Sequence, residues 1–173
     1  MLIRPEIPAD IAAIREINLA AFADHPYSRQ TEHLIVEALR AAGALVVSLV
    51  AQEDGASRSV VGRVVGHIAF SRAAIDDSDK GWFLLGPVAV LPGLQRRGIG
   101  SALVRAGLDE LRGLGAQGCV LVGDAAFYAR FGFRQARGLT YPGVPQEFVL
   151  CLPLAGDEPE GEVGHHAAFE AGL

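Results

Sequence analysis

The sequence predicts one α/β domain built around a mostly antiparallel sheet with one parallel pairing. Three observations carry this reading. Half of the 173 residues are apolar and a fifth are charged, enough to bury a sizeable core in one domain. The apolar spacing changes from helical to β-type near residue 45. Beyond that point come three apolar runs joined by short polar segments, then a strand–helix–strand unit. The runs suit an antiparallel meander, and the unit's two strands are parallel by the crossover rule.

The elements follow in order. Residues 2–4 suit a short first strand. Pro8 and Asp10 suit the first turn of a helix, and Ile11, Ile14 and Ile17, then Ala21 or Phe22, continue it at helical spacing. A break at Asp24-His25-Pro26 separates a second helix over 29–42, with Leu34, Ile35, Ala38 and Leu39 as its apolar side and Gly43 as its stop. The three meander runs are 45–52, 60–70 and 82–90. A loop at 53–59 contains Asp-Gly, and polar residues 71–81 read as another loop. A helix over 101–114 buries Leu103, Val104, Gly107, Leu108 and Leu111. A short strand over 119–122, a short helix over 125–130, and strands over 133–137 and 147–152 complete the body.

The domain is assigned to residues 1–154, with 155–173 as an acidic, Gly-rich tail. The tail carries five acids and no Lys or Arg, and the rest balances 15 acids against 15 bases. A general basic face for nucleic acid does not follow. By composition the tail is mobile, with Val163 and Phe169 as its few anchors, and its loss is expected to leave the fold intact. Packing on the body or on a neighbouring chain is the alternative. No apolar run approaches the ~20 residues of a membrane span. No signal peptide is visible, so a cytoplasmic location is expected. Cys119 and Cys151 read as small buried hydrophobes. His165-His166 lacks a third ligand at fixed spacing, so no metal is expected.

The most informative segment runs from Leu85 to Leu103. A strand ends, a loop turns at Gln95-Arg96-Arg97, and a helix begins at Gly98-Ile99-Gly100-Ser101. Glycines there let a ligand approach the backbone closely. The first N–H groups of a helix have no internal partners and carry positive partial charge, which makes an anion seat. Arg96 and Arg97 add charge at the same place. The nucleotide P-loop and the dinucleotide fingerprint both fail on spacing.

Gln95-Arg96-Arg97-Gly98-Ile99-Gly100 resembles the Gln/Arg-x-x-Gly-x-Gly/Ala motif of the GCN5-related N-acetyltransferase (GNAT) family. Phe127-Tyr128-Ala129-Arg130-Phe131-Gly132-Phe133 resembles that family's second cofactor-side motif. The likeness covers roughly residues 1–153 and is nearest to a bacterial subgroup of acetyltransferases. It implies a GNAT-like α+β domain: a mixed, mostly antiparallel sheet with splayed central parallel strands flanked by helices. It implies acetyl-coenzyme A as co-substrate. Gln95, Arg96, Arg97, Gly98, Ile99, Gly100 and Ser101 would hold its pyrophosphate. The strand Val88, Ala89, Val90 would receive its pantetheine arm, chiefly through backbone groups of Val88 and Val90. Tyr128 would be catalytic, near the thioester sulfur.

The implied activity is N-acetyl transfer to a primary amine by direct attack, the acceptor being a small molecule or a peptide. A monomer or homodimer is expected, with no nucleic acid or membrane partner. The alternatives are a sensor module that binds acyl-coenzyme A without transfer, and a transferase of a longer acyl group. Tyr128 favours the enzyme, because a phenol near its usual pKa of about 10 can protonate the departing thiolate at neutral pH. The base stays open. His67 on a meander strand, Glu37 on the second helix, and Asp24 and His25 in the break are candidates, and each also has a plainer structural reading.

Overall fold

Pairing begins at the N-terminus. In the computed structural model, which describes residues 1–26, 28–54 and 62–172, β1 (Leu2–Pro5) lies antiparallel to β2 (Val47–Gln52). Between them run α1 (Ile11–Phe22) and α2 (Glu32–Ala41). Asp10 fixes the entry to α1. Its carboxylate accepts the Ile7 amide at 2.9 Å and the Arg4 guanidinium at 2.7 and 3.0 Å. α1 buries Ile14, Ile17 and Asn18. α2 buries Val36 and Leu39, so its inner face differs from the predicted stripe. It also starts later than residue 29. Gln30 takes a positive φ of 61°, and the Ser28 hydroxyl bonds Glu32 at 2.5 Å.

β3 (Val64–Ile75) and β4 (Ser78–Val90) form the longest hairpin. The loop expected over 71–81 is in fact strand on both sides of a two-residue turn. Asp76 and Asp77 both have positive φ (49° and 58°), the conformation of a tight hairpin turn that Asp tolerates. Apart from Ser71, which is buried, the polar residues belong to the solvent face: Arg72 pairs with Asp79 at 3.1 Å while Ala73 and Ile75 are buried. β3 starts at Val64 rather than Val60. Residues 55–61, with most of the loop read at 53–59, lie outside the described residues.

α3 (Ile99–Gly113) buries the five predicted positions together with Ile99. Gly107 is dictated by packing, since a Cβ there would stand 2.3 Å from the Phe70 ring. Gly115, at φ 74°, ends the helix. β5 (Gly118–Val122) then returns parallel to β4, matching Trp82 with Gly118 and Leu84 with Val120. α4 (Ala125–Tyr128) follows, with a 3-10 turn over Ala129–Phe131. β6 (Arg134–Gln135) and β7 (Leu139–Thr140) are only two residues each, and β8 (Val149–Pro153) closes the body. The sheet order is β1-β2-β3-β4-β5-β8-β6. α1 packs over β3 and β4 on one face, while α3 and the aromatic residues around α4 pack into the core of the other. Cys119 and Cys151 are free and buried, and burial pushes both thiols up, Cys151 to about 12.

The tail packs on the body. β9 (Gly161–Gly164) pairs antiparallel with the end of β3 and parallel with β7, a second parallel contact that the sequence did not predict. Val163 and Ala168 are buried. The Glu158 carboxylate accepts the backbone N–H groups of Arg137, Gly138 and Leu139 at 2.7, 2.8 and 3.3 Å, and an Arg134 guanidinium N–H at 2.6 Å. Composition misleads here because one acid and a few small apolar residues carry the attachment. The two tail histidines are also tied in. Tyr141 and His165 share a 2.5 Å hydrogen bond, and His166 Nδ1 accepts the Ala168 amide at 3.1 Å.

Candidate active site

The site is created by a strand that loses its neighbour. β4 pairs with β5 only through Leu84. One residue later a bulge interrupts its ladder with β3: Phe70 faces Leu85 and Ile68 faces Val88, so Gly86 and Pro87 together stand opposite the single Ala69. From there to Val90, β4 has β3 on one side and an open edge on the other. Leu91 donates to Val65 O at 3.0 Å, so by ladder alternation the backbone groups of Ala89 also face β3. Those of Val88 and Val90 then face the open edge.

A groove of about 430 Å³ occupies this opening. Val88 and Val90 line it, with Gln95, Arg96, Gly98, Gly100 and Ser101 from the following loop and α3, and Phe127 and Arg130 from α4 and its turn. Arg96 and Gly98 are left-handed (φ 60° and 85°). The first helical amide with a partner behind it is Ala102, which donates to Gly98 O at 2.9 Å. The N–H groups of Ile99, Gly100 and Ser101 lie ahead of that bond at the positive end of the helix. The Gln95 side chain serves the loop itself, donating to Val90 O at 3.0 Å. Among the described residues no carboxylate lines the groove.

Four expected residues fall outside this lining, the catalytic candidate Tyr128 among them. Ala89 is buried with its backbone turned to β3, the Ile99 side chain enters the core, and the exposed Arg97 points elsewhere. Two lining residues were not singled out from the sequence, Phe127 and Arg130. The signal was present, since both flank Tyr128 in the second motif. Tyr128 itself packs in an aromatic cluster with Phe127, Phe131 and Phe133, at ring distances of 4.9, 6.3 and 5.8 Å. Burial, with a smaller contribution from Cys119, pushes its phenol well above the usual range.

The candidate bases lie in quite different settings. His67 is fully buried beneath α1, where desolvation pulls it down to about 4 against the attraction of Glu6. Ser48 donates to Glu6, so the Ser48 oxygen accepts from His67 Nε2 at 2.8 Å. His67 Nδ1 faces the Asn18 amide at 3.5 Å. His67 is therefore a neutral structural residue near pH 7. Glu37 is paired with Arg15, and Asp24 and His25 are exposed in the turn after α1.

Comparisons with known proteins agree with this geometry. A family model described as an acetyltransferase (GNAT) domain matches residues 45–135. The chain is 36% identical over 168 residues to YhbS of Escherichia coli K12, an uncharacterized N-acetyltransferase, covering 95% of this chain and 93% of that one. The crystal structure of a GNAT family acetyltransferase from Brucella melitensis in complex with acetyl-CoA has a TM-score of 0.84 and 50% identity, with 97% of both chains covered. YhbS from Escherichia coli in complex with CoA has a TM-score of 0.82 and 31% identity, with 99% of this chain and 93% of that one covered. These relatives are transferases, which decides for an acyltransferase over a sensor module. The chain belongs to the GNAT acetyltransferase family.

Proposed function

We propose that the protein transfers the acetyl group of acetyl-coenzyme A to a primary amine by direct attack. One observation carries the reading. The open edge of β4 and the start of α3 meet in a single groove, so one ligand can use strand-like backbone pairing and an anion seat together. Val88 and Val90 would pair with the pantetheine arm. The pyrophosphate would rest on the N–H groups of residues 98–101, with Arg96 adjacent. Arg97 and Ile99 would contribute through the backbone, since their side chains are elsewhere, while Ala89, whose backbone groups face β3, would hold the strand in place. The relatives bound to acetyl-CoA and CoA support the co-substrate.

In the reaction the amine nitrogen bonds to the thioester carbon, the C–S bond breaks, and the amine proton passes to solvent. A backbone N–H at the end of β4 would stabilise the carbonyl oxygen as it becomes negative. Tyr128 would donate to the departing thiolate. A thiol titrates near 8.5, below the raised phenol, so complete proton transfer from Tyr128 runs uphill. Its role is then a hydrogen bond, and water supplies the proton.

None of the four candidate bases stands in the groove lining. An acceptor that needs little deprotonation follows. Neutralising a Lys-like amine of pKa ~10.4 at pH 7 costs about 4.6 kcal/mol, against about 1 kcal/mol for an α-amine. Small α-amines and peptide N-termini are the favoured class. A panel of amines incubated with acetyl-coenzyme A, read by free thiol release, tests this. α-Amines turning over faster than ε-amines at pH 7 is the expected result; thiol release with no amine in the panel would overturn transfer to an amine.

A further inference from the structure

We propose that Arg130 recognises the 3′-phosphate on the ribose of coenzyme A. The assignment rests on the cofactor reading above and extends it to the nucleotide end. The groove has two lining cations from different elements: Arg96 on the loop before α3, and Arg130 on the turn after α4. Six of the thirteen arginines among the described residues, Arg4, Arg15, Arg40, Arg72, Arg112 and Arg134, are each held by a carboxylate. Among the described residues no ion pair holds Arg130.

Arg130 is nevertheless held in place. Its guanidinium stacks over the Phe127 ring, 4.9 Å from the centroid. Stacking fixes the plane and leaves the N–H edges free, which is the arrangement that grips a phosphate with two parallel hydrogen bonds. It also covers the ring face that an adenine would otherwise use. The helix start offers one anion seat, which the pyrophosphate fills. Coenzyme A carries a second anionic group, the 3′-phosphomonoester, and the turn after α4 carries the second cation.

Calorimetric titration with coenzyme A and with 3′-dephospho-coenzyme A tests the assignment on the wild type, Arg130→Ala and Arg130→Lys. The wild type should prefer coenzyme A. Arg130→Ala should lose about ten- to a hundredfold in affinity for coenzyme A and change little toward the dephospho form. Arg130→Lys should keep part of the preference, because it keeps the charge without the planar fork. Equal loss toward both ligands would place Arg130 on the pyrophosphate or the base and overturn the proposal. So would an unchanged affinity, or a wild type that binds both forms equally. A wild type that binds neither overturns the cofactor reading itself, so the two failures are distinct.

Discussion

Polar groups concentrate in two regions of this molecule, and they are organised in opposite ways. Beneath α1 and α2, Arg40 donates to Glu6 at 2.8 and 3.0 Å, Ser48 donates to Glu6, and His67 joins Ser48 to Asn18. Each member is turned to another, and His67 is sealed from water. In the groove on the far side of β4, the amides at the start of α3 and the guanidiniums of Arg96 and Arg130 face open space. The first region holds two helices on a sheet, and the second is shaped for a guest. What separates them is pairing and not polarity, so perturbing each should move a different observable.

The largest expected effect is on the sealed region. Glu6→Ala strands Arg40 and leaves the Ser48 hydroxyl, which in turn accepts from His67, without its acceptor. A loss of about 3 kcal/mol in urea denaturation is expected, with coenzyme A affinity unchanged in the folded fraction. The same region gives the protein an acid-labile side. His67 has a folded pKa of about 4, below its unfolded value of about 6.5, so the unfolded chain binds the proton more readily. Its contribution is complete above about pH 6.5 and lost as pH falls toward 4, by about 3 kcal/mol. Denaturation curves at pH 7 and pH 4.5 check this; equal midpoints would mean that His67 is not sealed in solution.

The groove should respond in reverse. A side chain at Gly98 meets nothing within 4 Å, so Gly98→Asp adds a negative charge at the anion seat without a clash. Coenzyme A binding should fall by about a hundredfold or more, with the melting temperature little changed. Gly98→Asn is the control. Asn tolerates the same left-handed backbone without the charge, and most of the affinity should return.

A third test concerns the tail, which sharpens the comparison because it uses an open-looking acid for a structural end. Burial would raise the Glu158 pKa, but hydrogen bonds from Gly138, Arg134, Arg137 and Leu139 outweigh it and hold it at about 2. Its folded value lies below the unfolded one, so its contribution is present above about pH 4.5 and lost as pH falls toward 2. Glu158→Gln should cost about 2 kcal/mol at pH 7 and nothing at pH 2. Deleting residues 155–173 should cost more, since it also removes β9 and exposes Ile75. Unchanged stability after either change would return the tail to the loose appendage that its composition suggested.

How much of this was legible follows from the range of each signal. The strand–loop–helix from Leu85 to Leu111 is local, and its glycines, arginines and apolar spacing report it directly. The hairpin over residues 71–81 was hidden because its solvent face is polar, and polarity alone looks like a loop. β9 was hidden because it pairs through only two residues with a strand far away in the chain. His67 resembled a base because its burial depends on Asn18 from α1, 49 residues earlier. The second wall of the groove was half-legible: Phe127 and Arg130 sit in a recognised segment, but only the fold turns them toward the α3 loop.

The smallest expected effect lies at Tyr128, between the two regimes. It is packed like a core residue, edge-on to Phe127 and close to Gly123, where a Cβ would stand 2.7 Å from its ring. Yet it adjoins the groove wall. If its hydroxyl donates to the thiolate, Tyr128→Phe removes a single hydrogen bond to a charged group and almost no volume. The turnover number should fall about tenfold, with coenzyme A affinity unchanged. The pH profile carries a second mark. Burial holds the phenol well above its ordinary range, so the hydroxyl keeps its proton, and the wild type should show no loss of turnover from Tyr128 up to about pH 10. The loss in Tyr128→Phe should therefore be the same at pH 7 and pH 9. A deficit that disappears toward pH 9 would mean that Tyr128 supplies the proton itself and is replaced by deprotonation-limited steps at high pH. Turnover equal to wild type at both would leave the ring as packing alone, and would move Tyr128 into the sealed class with His67.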